Sequence, residues 1–360
     1  MTAPETEKEH RASAGEDARR AAVMTLAAGA VIVVGLALWN LRLVVALLFL
    51  AFTIAAAMRP GIELLARWRI PRAVGVLVHY VVLFGLVALF LSFVVPQLAT
   101  QVQNALDAAQ QPGHATGSGL KNQLLDALDK RLRRLPSGGN LVHPALAAGQ
   151  AAVEVIIGIF FTFATAAYWI FERGRTIDTV TRLLPRPKRK TVRDTWDIVD
   201  AKLGAYVRGQ LILIVIVAVI TSAGFWLINE PYWLLIGVAA GFVELIPIVG
   251  PLAVLIVAVG AGLTQSWHVA VFAAAVVLGV RLLEDYLLSP RILGGAVGLS
   301  SLLVLVSVSA TGILLGSFYV LLAIPLAATV TTVIDVVVFG TDPADMDTPS
   351  VLFSPGDADP

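Results

Sequence analysis

The run from Trp233 to Leu263 constrains this chain more than any other stretch. It is apolar throughout except for one ionisable side chain, Glu244, and two prolines follow that carboxylate closely (GFVELIPIVGPLAVLI, residues 241–256). A single helix over the run would be about 46 Å long, against a bilayer core of roughly 30 Å. Pro247 and Pro251 each remove a backbone donor and obstruct the turn before them, so a break is expected. The sequence leaves open whether the run crosses once with a kink or doubles back.

The rest of the chain repeats the apolar theme. Runs close to the ~20 residues of a spanning helix cover Ala21–Trp39, Leu43–Met58, Val74–Val95, Val153–Phe171, Leu211–Ile228 and Val269–Val280, and a second overlong block covers Leu299–Phe339. Charged residues make up 14% of the chain, well below the roughly 25% of a soluble domain, so the expected partner is a lipid bilayer. The expected fold is all-α, a polytopic transmembrane bundle of about seven to nine membrane segments. Broken or re-entrant helices are expected in its C-terminal half, with a helical insertion outside the membrane. With no cysteine, disulfides, thiolate metal sites and cysteine nucleophiles are excluded.

Charge placement sets the expected orientation. Arg59, Arg67, Arg69 and Arg72 follow the second run; a denser set from Arg173 to Arg208, including Lys188-Arg189-Lys190, follows the fourth. Positively charged loops stay in the cytoplasm, which puts the N-terminus inside. The run Ala21–Trp39 is too long for a signal core and shows no cleavage site.

The expected layout is a disordered cytoplasmic tail (1–20), N-terminal transmembrane helices (21–95) and an extracytoplasmic amphipathic insertion (96–150). After these come one transmembrane helix (151–172), a basic connector with an interfacial helix (173–207), a C-terminal transport core (208–339) and an acidic disordered tail (340–360). The insertion shows helical stripes at Leu98, Val102, Leu106 and Ala109, and again at Leu124, Leu128, Leu132 and Leu135. The connector has one at Val192, Trp196, Val199, Leu203 and Val207, placed on anionic lipid. Basic residues beside a span are an ordinary outcome of topology, so no nucleic-acid partner is expected.

Ionisable residues at membrane depth carry the functional signal. A charge at a helix centre costs about 2.5–3.5 kcal/mol on insertion scales and normally faces protein or water. Glu244 is the clearest case, followed by Arg281, Glu284 and Asp285, with Arg208 and Gln210 at the mouth of the fifth run. Glu154 and Asp335 lie near run ends, where snorkelling suffices. Arg281 and Glu284 are three apart, so a mutually neutralising helical pair is the structural alternative. Glu244 has no basic neighbour within a turn, and burial disfavours its charged form. Backbone freed by a helix break is tolerated at membrane depth only inside protein or a wet cavity, where transporters hold substrates and ions. Pro247, Gly250 and Pro251 make one such candidate break. Gly316 with Pro325 makes a second, and the shared Ile-Pro raises the idea of an internal repeat.

Competing functions lack their residues. No His-Glu-x-x-His pattern or nucleophile turn is present, nor any Gly-x4-Gly-Lys-Ser/Thr loop for nucleotide. No catalytic residue, resident metal or cofactor is expected, beyond sodium, lithium or a proton as coupling ion.

Several motifs in order resemble the AI-2E family, the autoinducer-2 exporter-like permeases of bacterial membranes. They are Tyr206-Val-Arg-Gly-Gln210, Glu244-Leu-Ile-Pro-Ile-Val-Gly-Pro251, Glu284-Asp-Tyr-Leu-Leu-Ser-Pro-Arg-Ile-Leu-Gly294, Gly298-Leu-Ser-Ser-Leu and Gly316-Ser-Phe-Tyr-Val-Leu-Leu-Ala-Ile-Pro-Leu-Ala-Ala328. The resemblance implies a secondary transporter of the bacterial cytoplasmic membrane. It would either export a small autoinducer-2-like solute or exchange sodium or lithium for protons; a channel or a non-transporting scaffold is the alternative. On this resemblance Arg208, Gln210 and Glu244 supply polar contacts, while Pro247, Gly250, Pro251, Pro290, Arg291 and Pro325 mark breaks and hinges. A homo-oligomer is expected. Where the family often has a proline after Gly298-Leu, this chain has Ser300-Ser301, a departure that bears on substrate more than on fold.

Overall fold

The computed structural model describes residues 23–110, 142–230, 232–244, 249–292 and 298–346. Among them there is no strand. Five helices are long and apolar enough to cross a membrane: α1 (Val23–Asn40), α2 (Arg42–Arg67), α3 (Arg72–Gln110), α4 (Val142–Arg182) and α5 (Arg186–Leu227). Shorter apolar helices follow: α6 (Trp233–Val243), α7 (Val249–Gln265), α8 (Trp267–Leu283), α9 (Ser289–Ile292), α10 (Ser301–Leu314), α11 (Ser317–Val320) and α12 (Ala323–Val337). Side chains such as Leu77, Phe160, Val215 and Ile313 point outward and uncovered, which suits lipid and not water. The chain is therefore a polytopic helical membrane protein.

Two compact units are present, Met1–Phe49 and Leu50–Pro360. In the first, α1 passes into α2 through Leu41, and the Arg42 guanidinium sits 5.0 Å from the centre of the Trp39 ring. The second holds everything described below.

Its axis is α5, a single helix of 42 residues, about 63 Å long at 1.5 Å per residue. Pro187 falls in its first turn, where a missing N–H goes unused. The interfacial helix expected within 173–207 is the first half of α5, continuous with the span. Its stripe meets protein: Trp196 stacks on Trp169 of α4 (5.8 Å between ring centres), which lies 4.3 Å from Phe52 of α2. The stripe at Leu98–Ala109 likewise prolongs α3; the stripe at Leu124–Leu135, residues 1–22 and the tail after Met346 lie outside the described residues.

The Trp233–Leu263 run doubles back. Gly237 lies on the Ser222 backbone and Gly241 on the Ile214 carbonyl, where an added Cβ would come within 2.6 and 2.5 Å respectively. So α6 packs tightly antiparallel to α5, with small residues at the contact. At 11 residues it is about 16 Å long, half a bilayer core. Gly224 meets Val276 while Arg281 meets Glu244, so α8 runs in the same sense as α6. Gly262 abuts Ala270, so α7 runs against α8 and hence against α6. The Ser266 hydroxyl accepts from Val269 N–H (3.3 Å) to start α8. Val217, Phe225, Ile236, Ala240, Val254, Ala258, Ala273 and Val277 form the core that closes these four helices.

A second hairpin, α10 with α12, approaches from the other end of α5. Val308 packs with Val320 and Ala323, and Gly312 lies beside Val320. Lys202 Nζ donates to Thr332 Oγ1 (2.9 Å), and Ala205 and Tyr206 pack with Ala328. Antiparallel pairing then puts the start of α12 about one and a half turns beyond Tyr206, near the level of Gln210. Ser300 caps α10 by accepting from Leu303 N–H (3.3 Å), a structural use for a serine where the resemblance led us to expect proline.

Candidate functional site

Glu244 is the C-cap of α6, its N–H bonded to the Ala240 carbonyl at 3.2 Å. The chain has reversed by Val249, so this carboxylate stands at the tip of a helical hairpin. Residues 245–248, Pro247 among them, lie outside the described residues. At the reversal Gly250 admits the Val243 carbonyl, which a Cβ would meet at 2.3 Å; the close approach demands glycine.

Arg281, in the last turn of α8, gathers the acids. Its Nη1 lies 3.2 Å from Glu244 Oε1 and 3.2 Å from Glu284 Oε2, and its Nη2 lies 2.9 Å from Asp285 Oδ1. On the opposite side, Gln210 Nε2 donates to the Glu244 carbonyl at 3.2 Å. Glu244 and Glu284 are 8% and 5% exposed, whereas Arg281 and Asp285 open outward. The i,i+3 pair of Arg281 with Glu284 exists, but the same nitrogen also holds a carboxylate 37 positions away. A cavity of about 20 Å³ adjoins the group, between Thr221, Ala240, Glu244, Pro251, Arg281 and Glu284, enough for one water.

The helix widens directly after Arg281. Residues Glu284–Leu288 form a π-helical turn, Ser289 N–H closes it on the Glu284 carbonyl, and α9 follows. Pro290 has no N–H to extend the ladder, and π turns of this kind aim side chains at functional sites. Here two successive acids point at one arginine.

Three carboxylates share one guanidinium. Fully ionised, the set carries a net double negative charge with two of its three carboxylates buried, a costly state. Proton uptake or a bound monovalent cation relieves it, and this is the chemistry the arrangement can perform.

The other expected site residues lie elsewhere. Arg208 Nη1 donates to the Ala57 carbonyl of α2 at 3.2 Å, on the far side of α5 from Glu244. Arg291 is exposed on α9. Gly316, at φ +106, caps α11, and Pro325 is buried in the first turn of α12. Pro325 thus sits where a helix begins; the interruption before it comes from Gly316 and the turn at Leu321-Leu322.

Sequence reasoning passed over two features. The first is a charge lattice joining α2, α4 and α5: Arg173 bonds both Asp200 and Asp197 (2.5 Å to the latter), and Arg59 bonds Glu63 (2.6 Å) and reaches Asp200 at 3.7 Å. Its arginines signal topology in the sequence, and their pairing with these acids shows only in the fold. Asp197 and Asp200, one helical turn apart within the stripe of α5, were the available signal. The second is Glu230, buried in the turn between α5 and α6.

A hairpin of short apolar helices that carries buried acids at its tip is an arrangement found in membrane transport proteins. The profile of the AI-2E family transporter matches residues 27–339, and the chain belongs to that family. It is 26% identical over 295 residues to the transport protein YrrI of Bacillus subtilis, covering 78% of this chain and 83% of that one. A transport protein of Mycobacterium tuberculosis is 27% identical over 329 residues, 86% of this chain and 88% of its own. The permease PerM of Escherichia coli K12 matches at 27% over 220 residues, 59% and 61% of the two chains. The names of these relatives assign them to transport by inference.

Proposed function

We propose that this protein is a secondary transporter of the bacterial cytoplasmic membrane whose coupling ion, a proton or a monovalent cation, binds among Glu244, Arg281, Glu284 and Asp285. The observation that carries this reading is the excess of buried carboxylates over arginine at the tip of a helical hairpin. Gln210 holds the tip backbone, and the second hairpin reaches the same level of α5 from the opposite end, an arrangement that suits alternating access. The basic end of α2, α4 and α5 faces the cytoplasm on this reading, as does the N-terminus. The working unit is a homo-oligomer.

Between the two cargoes, sodium or lithium exchange for protons draws on the composition of the cluster. Export of a small autoinducer-2-like solute draws on family membership and shares the same coupling. The test is reconstitution into proteoliposomes with an internal pH dye, adding sodium, lithium or autoinducer-2 in turn. A dye response to sodium or lithium alone supports antiport, and a response to autoinducer-2 supports coupled export. Non-saturating flux without counterflow means a channel; no flux at all means a scaffold, and either result overturns the proposal.

A further inference from the structure

Glu230 lies in the turn that joins α5 to α6. It is 2% exposed, and neither carboxyl oxygen has a hydrogen-bond partner, a state shared by no other buried side chain among the described residues. A turn at a helix end is where a carboxylate reaches water most easily. Leaving a buried polar group unsatisfied costs about 1–3 kcal/mol, more when it is charged. The chain nevertheless tucks this one in. Glu230 N–H bonds back to the Phe225 carbonyl (2.9 Å), and Phe225 is itself fully buried. Asn229 (φ 54) and Tyr232 (φ 63) on either side are left-handed, a conformation that non-glycine residues adopt at a cost of order 1 kcal/mol each. The turn is thus fixed by local geometry and holds the side chain inward.

Among the described residues no basic side chain pairs with it. Residues 211–227 of α5, and all of α6 and α7, contain no ionisable side chain. Tyr232 at the start of α6 and His268 at the start of α8 are the titratable groups at this end, and neither bonds to Glu230. On α3, which also packs against α6, the titratable groups among the described side chains are Arg72, His79 and Tyr80, all in its first third. Burial alone pushes the Glu230 carboxyl up to about 7.

We propose that Glu230 is a second proton-binding residue of this transporter, protonated while the α5–α6 turn is closed and deprotonated when that turn opens to water. On opening, the carboxyl O–H bond breaks, the proton passes to bulk water, and the carboxylate takes up hydration in place of its buried site. Along α6 the residue stands about 20 Å from the Glu244 tip, too far to share a proton directly. The site therefore stands independently of the reading given to Glu244.

The sign of the pH effect follows from the raised carboxyl. Below about pH 4.5 folded and unfolded chains both hold the proton; between there and pH 7 only the unfolded chain ionises, so folded stability falls as pH rises. The full-length protein in detergent is titrated from pH 4 to 9 by infrared difference spectroscopy and by thermal unfolding, as wild type and as E230Q. The wild type should show protonated carboxyl C=O intensity, lost with a midpoint near neutrality, in excess of what the Glu244 cluster gives in E230Q. Relative to E230Q, its folding equilibrium should weaken on the order of 100-fold across that range. Equal C=O band intensity in both proteins across the titration, or the same pH profile of stability, overturns the proposal. If E230Q does not fold, E230M replaces it; failure of both also overturns the proposal, since a side chain without hydrogen bonds has none to lose. None of these outcomes bears on flux through the Glu244 cluster.

Discussion

Two charged regions of the molecule use the same residue types in different proportions. At the basic end, Arg59 and Arg173 interlock with Glu63, Asp197 and Asp200, and Arg72 lines the same cavity of about 230 Å³. Two guanidiniums pair with three carboxylates there, and a third, Arg72, stands on the cavity wall. At the hairpin tip, one guanidinium faces three carboxylates. The balanced set ties three long helices together, and each of its acids has at least one arginine within salt-bridge distance. The unbalanced set cannot be fully ionised cheaply. Balance marks a structural fastening, and imbalance marks a group poised to bind.

The comparison can be broken by mutation. E244Q should abolish ion-coupled flux in proteoliposomes while its thermal midpoint in detergent stays near that of the wild type. Retained flux would assign the tip a purely structural role. R173A should do the reverse to the fold. It leaves Asp200, which is 6% exposed, with only the longer 3.7 Å contact to Arg59, and breaking a buried pair from one side costs about 3–5 kcal/mol. Folded yield and thermal midpoint should drop, and the double change R173M/D200L should recover most of the loss. A collapse of R173A that the double variant leaves unrepaired would mean that the pair is not the fastening.

A smaller effect tests the hairpin that carries the tip. G241A drives a methyl into the Ile214 carbonyl, whereas Gly260 has open space around it. G241A should therefore cost about 1–3 kcal/mol by overpacking, while G260A stays near neutral or slightly gains; equal melting of the two would argue against the tight α5–α6 contact. Least of all should come from R175A. It removes an exposed pair with Glu172 (3.2 Å) worth under about 1 kcal/mol, and its thermal midpoint should match the wild type within error.

Much of this was legible in the sequence. The spanning segments followed from run length, because hydropathy is a local property and lipid reads it locally. Glu244 stood out because an acid in a long apolar run needs a reason, and the nearby prolines and glycines forecast the interruption. The motifs of the C-terminal half indicated the family. Other features were illegible for equally physical reasons. Whether a run with a break kinks or reverses depends on which neighbour its small residues can approach, and Gly237 and Gly241 show their partner only when α5 lies against them. Gln210 and Arg208 are two residues apart on one helix, so their side chains leave in different directions, one to Glu244 and one to α2.

The sequence by itself thus determined that this chain enters a membrane, roughly where, and that a carboxylate lies at membrane depth. Only the tertiary structure decided what that carboxylate meets. Glu244 and Arg281 are joined across two helix reversals, and no local pattern encodes a pairing that α7 and α8 create by folding back. Tertiary packing likewise left Glu230 buried without a partner. A side chain's burial is set by the residues packed over it, and these the chain supplies only once it has folded.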